Sequence, residues 1–420
     1  MKRSDINQYL YFGYTDNEFQ LVDYDVLKAN ADHDYSKDGS VKVWNELVCR
    51  IIALIKPCKG KIIVPISGGW DSRILLCAIV KHIDRSKIVA YTFGSHGQLD
   101  FDIGRKLCRK LNVEHKEIDL ATVNFSWHEL VESAKTLHPT YLHEAIFNKY
   151  CQDTLLTPDD ILVSGFMGDA ITGGHLSTKK TESEKLQEFT RRQRKIKSIK
   201  LWDKNYTPNF QGKNIAIEGL DSSELLDIYF RQRNCIYPIL FGGNANFSFG
   251  IKTITKNNKT ILHPFLDEKW VNYWLNSPIE LKRNQNRYLF ILDECYPDVV
   301  GFPSKYSFGY DANKVASIFI KKSTIRLFNK INNLFPSLKI NNNALENYYP
   351  LDYLYRKSDS HYNLWQESSR FLKSNNIVPW LDLNKIHSDH LEYKANYGEA
   401  LQHLVNLAAY CSANNIKVNN

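Results

Sequence analysis

The chain has 420 residues, 43% hydrophobic and 24% charged, with a formal net charge of +8. That length holds one large core or about two to three modest ones, and the composition excludes a wholly disordered chain. The eight cysteines (49, 58, 77, 108, 151, 235, 295 and 411) form no CxxC pair, which leaves no ligand spacing for a zinc knuckle and no disulfide framework. They read as small core hydrophobes in a reducing compartment. No basic–apolar–small segment opens the chain and no uncharged apolar run reaches membrane length, so a cytoplasmic protein without membrane insertion is expected.

In chain order, residues 1–40 hold YLYFGYTDNEFQLVDYD and then the polar NADHDYSKDGS, and read as a leader segment ending in a linker. Val41, Trp44, Leu47, Val48, Ile51, Ile52 and Ile55 recur at helical spacing, and Pro57 and Gly60 stop that helix. Strand and helix then alternate. KIIVPI is a short buried strand, SRILLCAIVKHI a helix, KIVAYTF a strand, FDIGRKLCRKLN a helix, and VEHKEIDL ends in a third strand. Helices around 127–136 and 142–152 lead to the strand DDILVSG. This alternation predicts an α/β fold with a doubly wound parallel sheet.

From Ser177 to Asn209 the chain turns polar and lacks the apolar periodicity of a core element, which suggests an insertion or lid at about 177–209. Residues 214–275 read as helical, returning to the sheet at ILHPFLD. The remainder, 311–420, reads as a helical lobe: VASIFIKKSTIRLFNKINNLF is helical, an aromatic irregular stretch follows, and a last helix starts at Gly398. The expected organisation is therefore 1–40, 41–310 and 311–420. Arg191, Arg192, Arg194, Lys195, Lys197 and Lys200 form a basic cluster that reads as a solvated face rather than a polyanion site, so nucleic acid is not an expected partner.

The sharpest feature is IIVPISGGWDS, where an apolar strand runs straight into Ser67, Gly68, Gly69, Trp70, Asp71 and Ser72 and a helix starts at once. Two glycines let backbone N–H groups approach phosphate oxygens without a Cβ in the way. Ser67 and Ser72 add hydroxyl donors, and the helix start turns its positive end towards an anion. Asp71 repels phosphate, so it makes sense as a Mg²⁺ ligand bridging to a triphosphate. The run is neither a Walker A loop nor a dinucleotide fingerprint.

SGGxDS resembles the phosphate loop of the ATP pyrophosphatases, shared by asparagine, GMP, argininosuccinate, NAD and tRNA lysidine synthetases. Three further segments resemble the asparagine synthetase family in particular. ILVSGFMGDAITGGH is similar to its SGEGSDELFGGY pattern, with Ser164, Gly165, Asp169, Gly173 and Gly174 in matching places. ILHPFLDEKWVNYWLNSPIELK looks like its R-x-P-F-L-D segment, and FPSKYSFGY its late lysine loop. YTFG, with Phe93 and Gly94, and LDFDIGRKLCRKLNVEHKEIDL match upstream stretches.

The resemblance covers residues 8–310 and, more faintly, the helical tail. It implies an adenine nucleotide alpha hydrolase-like sheet that binds ATP through Ser67, Gly68, Gly69, Asp71, Ser72, Phe93, Gly94, Ser164 and Gly165. It also implies Mg²⁺ held by Asp71 and Asp169, and Lys305 with Asp169 in the catalytic role, Lys305 offsetting charge on the α-phosphate and the leaving pyrophosphate. Asp100 would help fix the nucleotide or a nearby loop.

Two departures shape the expected function. Lys2, not a cysteine, follows Met1, and residues 1–40 leave no room for the family's glutaminase domain. Nitrogen is then expected from free ammonia, a separate glutaminase partner, or an amine already on the substrate. Phe166 stands where the family has a glutamate that helps deprotonate the attacking nitrogen. His143 and Glu144 are candidate replacements, or the amine arrives neutral.

The resemblance implies an amide-forming, AMP- and pyrophosphate-releasing carbon–nitrogen ligase acting on a small-molecule or sugar carboxylate. A uronic acid of surface polysaccharide biosynthesis is the leading acceptor. The alternatives are an intramolecular amide-forming cyclase of the β-lactam or lasso-peptide type, an RNA-modifying enzyme using the same loop, and a nucleotide-binding interaction protein that has lost turnover.

Overall fold

The structure, a computed structural model, describes residues 2–13, 33–135, 142–208, 224–228, 250–254, 259–311, 314–335, 337 and 350–416. Its centre is a six-stranded sheet of β1 (Ile62–Pro65), β2 (Ile88–Gly94), β3 (Glu114–Asp119), β4 (Ile161–Val163), β5 (Lys252–Ile254) and β6 (Thr260–Leu262), in the order β3-β2-β1-β4-β6-β5. β3, β2, β1, β4 and β6 run parallel, and β5 pairs antiparallel with β6 at the edge. The chain builds outward from β1 in one direction through β2 and β3, then returns to β1's other side with β4. The sheet is therefore doubly wound, and its switch point lies at the carboxyl ends of β1 and β4, where such sheets place ligands.

The strand sequences show why both faces are buried. Ile62, Val64, Ile88, Ala90, Ile161, Val163 and Leu262 join the larger core, while Ile63, Val89, Tyr91, Leu162 and Ile261 join a second core on the opposite face. Alternate residues point to opposite sides of a strand, so a continuous apolar run such as IIV needs cover on both. On the larger core lies the helix Lys37–Ile55, with Trp44, Leu47, Val48, Ile51 and Ile55 buried. It starts four residues ahead of the expected Val41 because Ser36 caps it, its side chain accepting from the Gly39 N–H.

Several elements differ from the sequence expectation. The polar stretch 177–209 contains the helix Glu182–Arg192, opened by a capping box between Thr181 and Glu184. Phe189 from that helix enters the larger core, and Ile196 and Leu201 enter the core of the helical lobe. Three anchors so far apart leave no periodic signature. The supposed helical run 214–275 contributes the strands β5 and β6; residues 214–223, 229–249 and 255–258 of it lie outside the described residues. Of the stretch before Gly398 expected to be irregular, residues 351–391 form the helices Leu351–Lys357, Asp359–Ser374 and Leu383–Leu391, while residues 338–349 lie outside the described residues. Their buried faces mix aromatic and polar residues (Tyr355, His361, Trp365, Ser368, His387), which masks the pattern.

The start of the chain is built into the lobe formed by its end. Arg3–Phe12 is a helix, and Ile6, Tyr9 and Leu10 pack in the same core as Leu401, Leu404 and Val405 of the helix Gly398–Ala413. The His403 ring stacks on Tyr9 at 4.4 Å and 11°, and its Nε2 donates to the Tyr9 carbonyl at 3.1 Å. Residues 14–32 of the expected leader lie outside the described residues.

Burial pushes the imidazoles of His263, His390 and His403 down to about 3, and that of His361 to about 4. These side chains are neutral in the folded chain, whereas an unfolded histidine takes its proton near pH ~6.5. Below that point the unfolded state binds more protons than the folded one, so stability is present above it and is lost as pH falls towards 4. The melting temperature is therefore expected to drop steadily as pH is lowered from neutral into this window. Differential scanning fluorimetry across the range checks this, and a flat profile would contradict the neutral assignment.

Candidate nucleotide site

At the switch point, β1 ends at Pro65 and the chain turns through Ser67–Trp70 into the helix Asp71–His82. The turn is closed by its own side chains. The Ser67 N–H donates to Ser72 Oγ at 3.2 Å, and the Gly69 N–H donates to Ser67 Oγ at 3.3 Å. Gly68 is the tightest point. Its N–H donates to Asp100 Oδ1 at 2.6 Å, and its carbonyl accepts the Lys305 N–H at 3.0 Å. A Cβ there would come within 2.8 Å of both Ile103 Cδ1 and Lys305 Cγ. Lys305 Nζ lies 2.6 Å from Asp100 Oδ2, so one carboxylate ties the turn to the late lysine loop.

The second turn follows β4 through Ser164–Gly168 into the short helix Gly168–Ile171. The Ser164 N–H donates to Leu262 of β6, and its Oγ accepts the Phe166 N–H at 3.2 Å. The two turns interlock at glycines: a Cβ on Gly165 would sit 3.0 Å from the Ser72 nitrogen, and one on Gly168 would sit 2.3 Å from Asp71 Cγ. The Asp169 N–H donates to Asp71 Oδ2 at 3.0 Å. Asp71 and Asp169, 98 positions apart in sequence, thus meet at the amino end of a helix, where the backbone dipole favours carboxylates.

Of the residues expected in the site, Ser67, Gly68, Gly69, Asp71, Ser72, Ser164, Gly165, Asp169, Lys305 and Asp100 come together in this way. Phe93 and Gly94 close β2 on the same sheet edge, but the Phe93 ring packs on Tyr91 at 6.0 Å, in the core of the other face. Phe166 sits edge-on to His263 at 6.3 Å and 81°. Neither ring takes up a proton at neutral pH, since burial holds His263 down to about 3. The side chains of His143 and Glu144 lie outside the described residues. In the basic cluster, Arg194 donates to the carbonyls of Ile196 and Ile199 and lies 4.8 Å from the Trp202 ring, a structural use of its charge.

Sequence reasoning missed four groups around the site. Arg73, directly after the loop, is 0% exposed. Its guanidinium donates to the carbonyls of Val299 and Phe302 at 3.1 Å and of Pro303 at 2.5 Å, with the Trp70 ring 4.7 Å away. Burial lowers its pKa to about 10, so it stays charged at neutral pH. It fixes the run into Lys305, whose turn is closed by Ser304 and Ser307. An arginine at the head of the apolar run ILLCAIV was the available signal.

Tyr288 is wholly buried, and burial, then the negative charges of Asp71 and Asp169, hold its phenol neutral by raising its pKa well above the usual value. His175 spans two carboxylates, with Nδ1 2.9 Å from the buried Asp227 and Nε2 3.4 Å from Asp169. Tyr306 stacks on Trp70 at 6.0 Å and 7° and is 66% exposed.

Residues 61–151, from β1 past β3 into the helix Leu142–Leu155, match the family model described as queuosine biosynthesis protein QueC. A 66-residue stretch is 35% identical to the 7-cyano-7-deazaguanine synthase of Clostridium botulinum (strain Loch Maree / Type A3), covering 16% of this chain and 30% of that protein. The matched stretch takes in the loop at 67–72, carried on an adenine nucleotide alpha hydrolase-like sheet. Among solved structures, the NH3-dependent NAD synthetase from Campylobacter jejuni subsp. jejuni NCTC 11168, in complex with the nitrate ion, is 14% identical, with a TM-score of 0.26 over 32% of this chain and 60% of that one. The chain spans less than two thirds of the length of either relative. No helix among the described residues is long and apolar enough to cross a membrane.

Gly168→Ala is expected to displace the Asp71 carboxylate and weaken Mg²⁺-dependent nucleotide binding at least ~10-fold, read by calorimetry, with little change in circular dichroism. Arg73→Met removes three charge-assisted hydrogen bonds in the interior and should cost about 3 kcal/mol of stability in urea titrations. A loss below about 0.5 kcal/mol would mean those carbonyls do not depend on it.

Proposed function

We propose that the chain is an ATP-dependent ligase that joins nitrogen to a substrate carboxylate, releasing AMP and pyrophosphate, and that its synthetase part is of the asparagine synthetase kind. The carrying observation is the meeting of Asp71 and Asp169 across Gly168, with Lys305 bound to the same loop through Gly68 and Asp100. Asp71 on one turn and Asp169 on the other, joined through the Asp169 N–H, suit Mg²⁺, which commonly takes one or two protein carboxylates besides phosphate oxygens. Asp71 and Asp169 would hold that ion, whose chemistry is to offset triphosphate charge.

The chain's own groups supply the rest. Gly68, Gly69, Gly165 and Gly168 keep the two turns free of Cβ atoms, so backbone can approach phosphate. Lys305, a cation beside Gly68, is placed to meet negative charge as it develops on the leaving group, the electrostatic role such a reaction needs most. Tyr288, neutral and buried, steadies Asp71 without adding charge.

The acceptor we favour is a sugar carboxylate such as a uronic acid. The exposed Tyr306, stacked on Trp70 next to Lys305, offers a flat aromatic wall at the mouth of the loop that suits a ring. Nitrogen comes from free ammonia, from a separate glutaminase, or from an amine on the substrate. With Phe166 in the glutamate position, the proton of that nitrogen leaves by another group. His175, oriented by Asp227, joins His143 and Glu144 as a candidate.

The test is pyrophosphate release with ATP, Mg²⁺ and ammonia against a panel of carboxylates that includes uronic acids. Asp71→Asn and Lys305→Ala are each expected to lower the rate by ~10²–10³-fold. Absence of ATP-dependent pyrophosphate with every carboxylate would overturn the ligase reading; activity confined to acids other than uronic ones would overturn only the sugar acceptor.

A further inference from the structure

The helix Val315–Leu334 is where the fold leaves its apolar side chains outside. Phe319, Ile320, Leu327 and Leu334 are 70, 64, 56 and 62% exposed, and Phe335 at the C-cap is 57% exposed. Ile325 is the one buried apolar side chain of this helix among the described residues. At about 100° per residue, Phe319, Leu334, Leu327 and Ile320 fall within one arc of roughly 100°, diametrically opposite Ile325. The helix is thus seated by one side and presents a second apolar face to solvent.

Its charge has a single sign. No Asp or Glu occurs between Asp311 and Glu346, whereas Lys314, Lys321, Lys322, Arg326 and Lys330 lie on or beside the helix. Arg326 and Lys330 are exposed, Arg326 just outside the Phe319 edge of the apolar arc and Lys330 just inside it; Lys321 and Lys322 flank the seated side. Apolar side chains this exposed along one helix, with Phe328 at 40% among them, are unusual on a surface that meets only water. Lys314 pairs with Asp311, and the remaining cations, with no anion on the helix itself, select a negatively charged partner.

From these observations we propose that the helix Val315–Leu334 docks the chain on an anionic lipid bilayer, lying in the plane of the interface. The Phe, Leu and Ile side chains enter the acyl boundary, and the Lys and Arg side chains reach back to headgroup phosphates. The helix is not apolar enough to span a membrane, which is consistent with lying on one. Pairing with a second copy through the same face would bring two all-basic rims together, which charge repulsion opposes. This inference is independent of the ligase reading, since no residue of the nucleotide site takes part in it.

The full chain should be sedimented with vesicles of phosphatidylglycerol mixed with phosphatidylcholine, and with phosphatidylcholine alone. Binding is expected to the anionic vesicles only, and to weaken as salt is raised. Ile320→Glu with Leu327→Glu should lower the bound fraction at least ~10-fold, with circular dichroism unchanged. Should that pair disturb the fold, Arg326→Gln with Lys330→Gln, both at exposed positions, decides the matter by a reduced salt-sensitive binding. Three results would overturn the proposal: no binding to anionic vesicles, binding that ignores both variant pairs, or a wild-type dimer that Leu327→Glu splits while lipid binding is absent.

Discussion

The hydrogen bond from the Asp169 N–H to the Asp71 carboxylate, made across a glycine, is the constraint on which the candidate site depends. It requires β1 and β4 to be neighbours and parallel, so that both following turns emerge on one edge, and parallel strands lie only about 4.8 Å apart. At that separation two turns can touch only if one lacks a side chain, and Gly168 is the residue that lacks it, since its Cβ would fall 2.3 Å from Asp71 Cγ. The sheet order, the glycines and the aspartate pair are therefore one feature seen at three scales.

Gathering Asp71, Asp169 and Asp100 at one edge concentrates negative charge, and the fold answers it in three ways. The helix Asp71–His82 presents its amino end to Asp71. Lys305 pairs with Asp100. Tyr288, beside the aspartates, is kept protonated by burial. Arg73 adds rigidity rather than a counter-charge, because its described hydrogen-bond partners are backbone carbonyls, not carboxylates. A buried cation is costly unless its donors find partners, and here the bonds of its two terminal nitrogens weld the phosphate turn to the segment that delivers Lys305. A phosphate seated in the turn would thus find the lysine already in place, which is how preorganised charge acts in transfer reactions.

Most of what was legible in the sequence was local. The strand, double glycine and helix start at 62–72 lie within one short window, and the strands β1, β2 and β4 announce themselves as apolar runs. The doubly wound sheet follows from their alternation with helices. The helix Glu182–Arg192 escaped because one buried residue, Phe189, makes no period. The helices between 351 and 391 escaped because buried histidines and serines interrupt their apolar faces. The departure at Phe166 was legible as a missing base. What stands nearby instead, His175 braced by Asp227, joins positions 52 apart and has no local signature.

The sequence alone determined the chemistry of the loop and the class of the sheet, because turns, glycine conformations and strand burial are set by residues within a few positions of each other. It also showed that 315–334 is helical. Only the tertiary structure decided which distant groups meet: Arg73 with the 299–303 carbonyls, Asp100 with both Gly68 and Lys305, Tyr9 with His403. It alone decided that the second apolar face of that helix is left open. Periodicity records that a face is apolar, but whether anything covers it depends on packing between segments far apart in the chain.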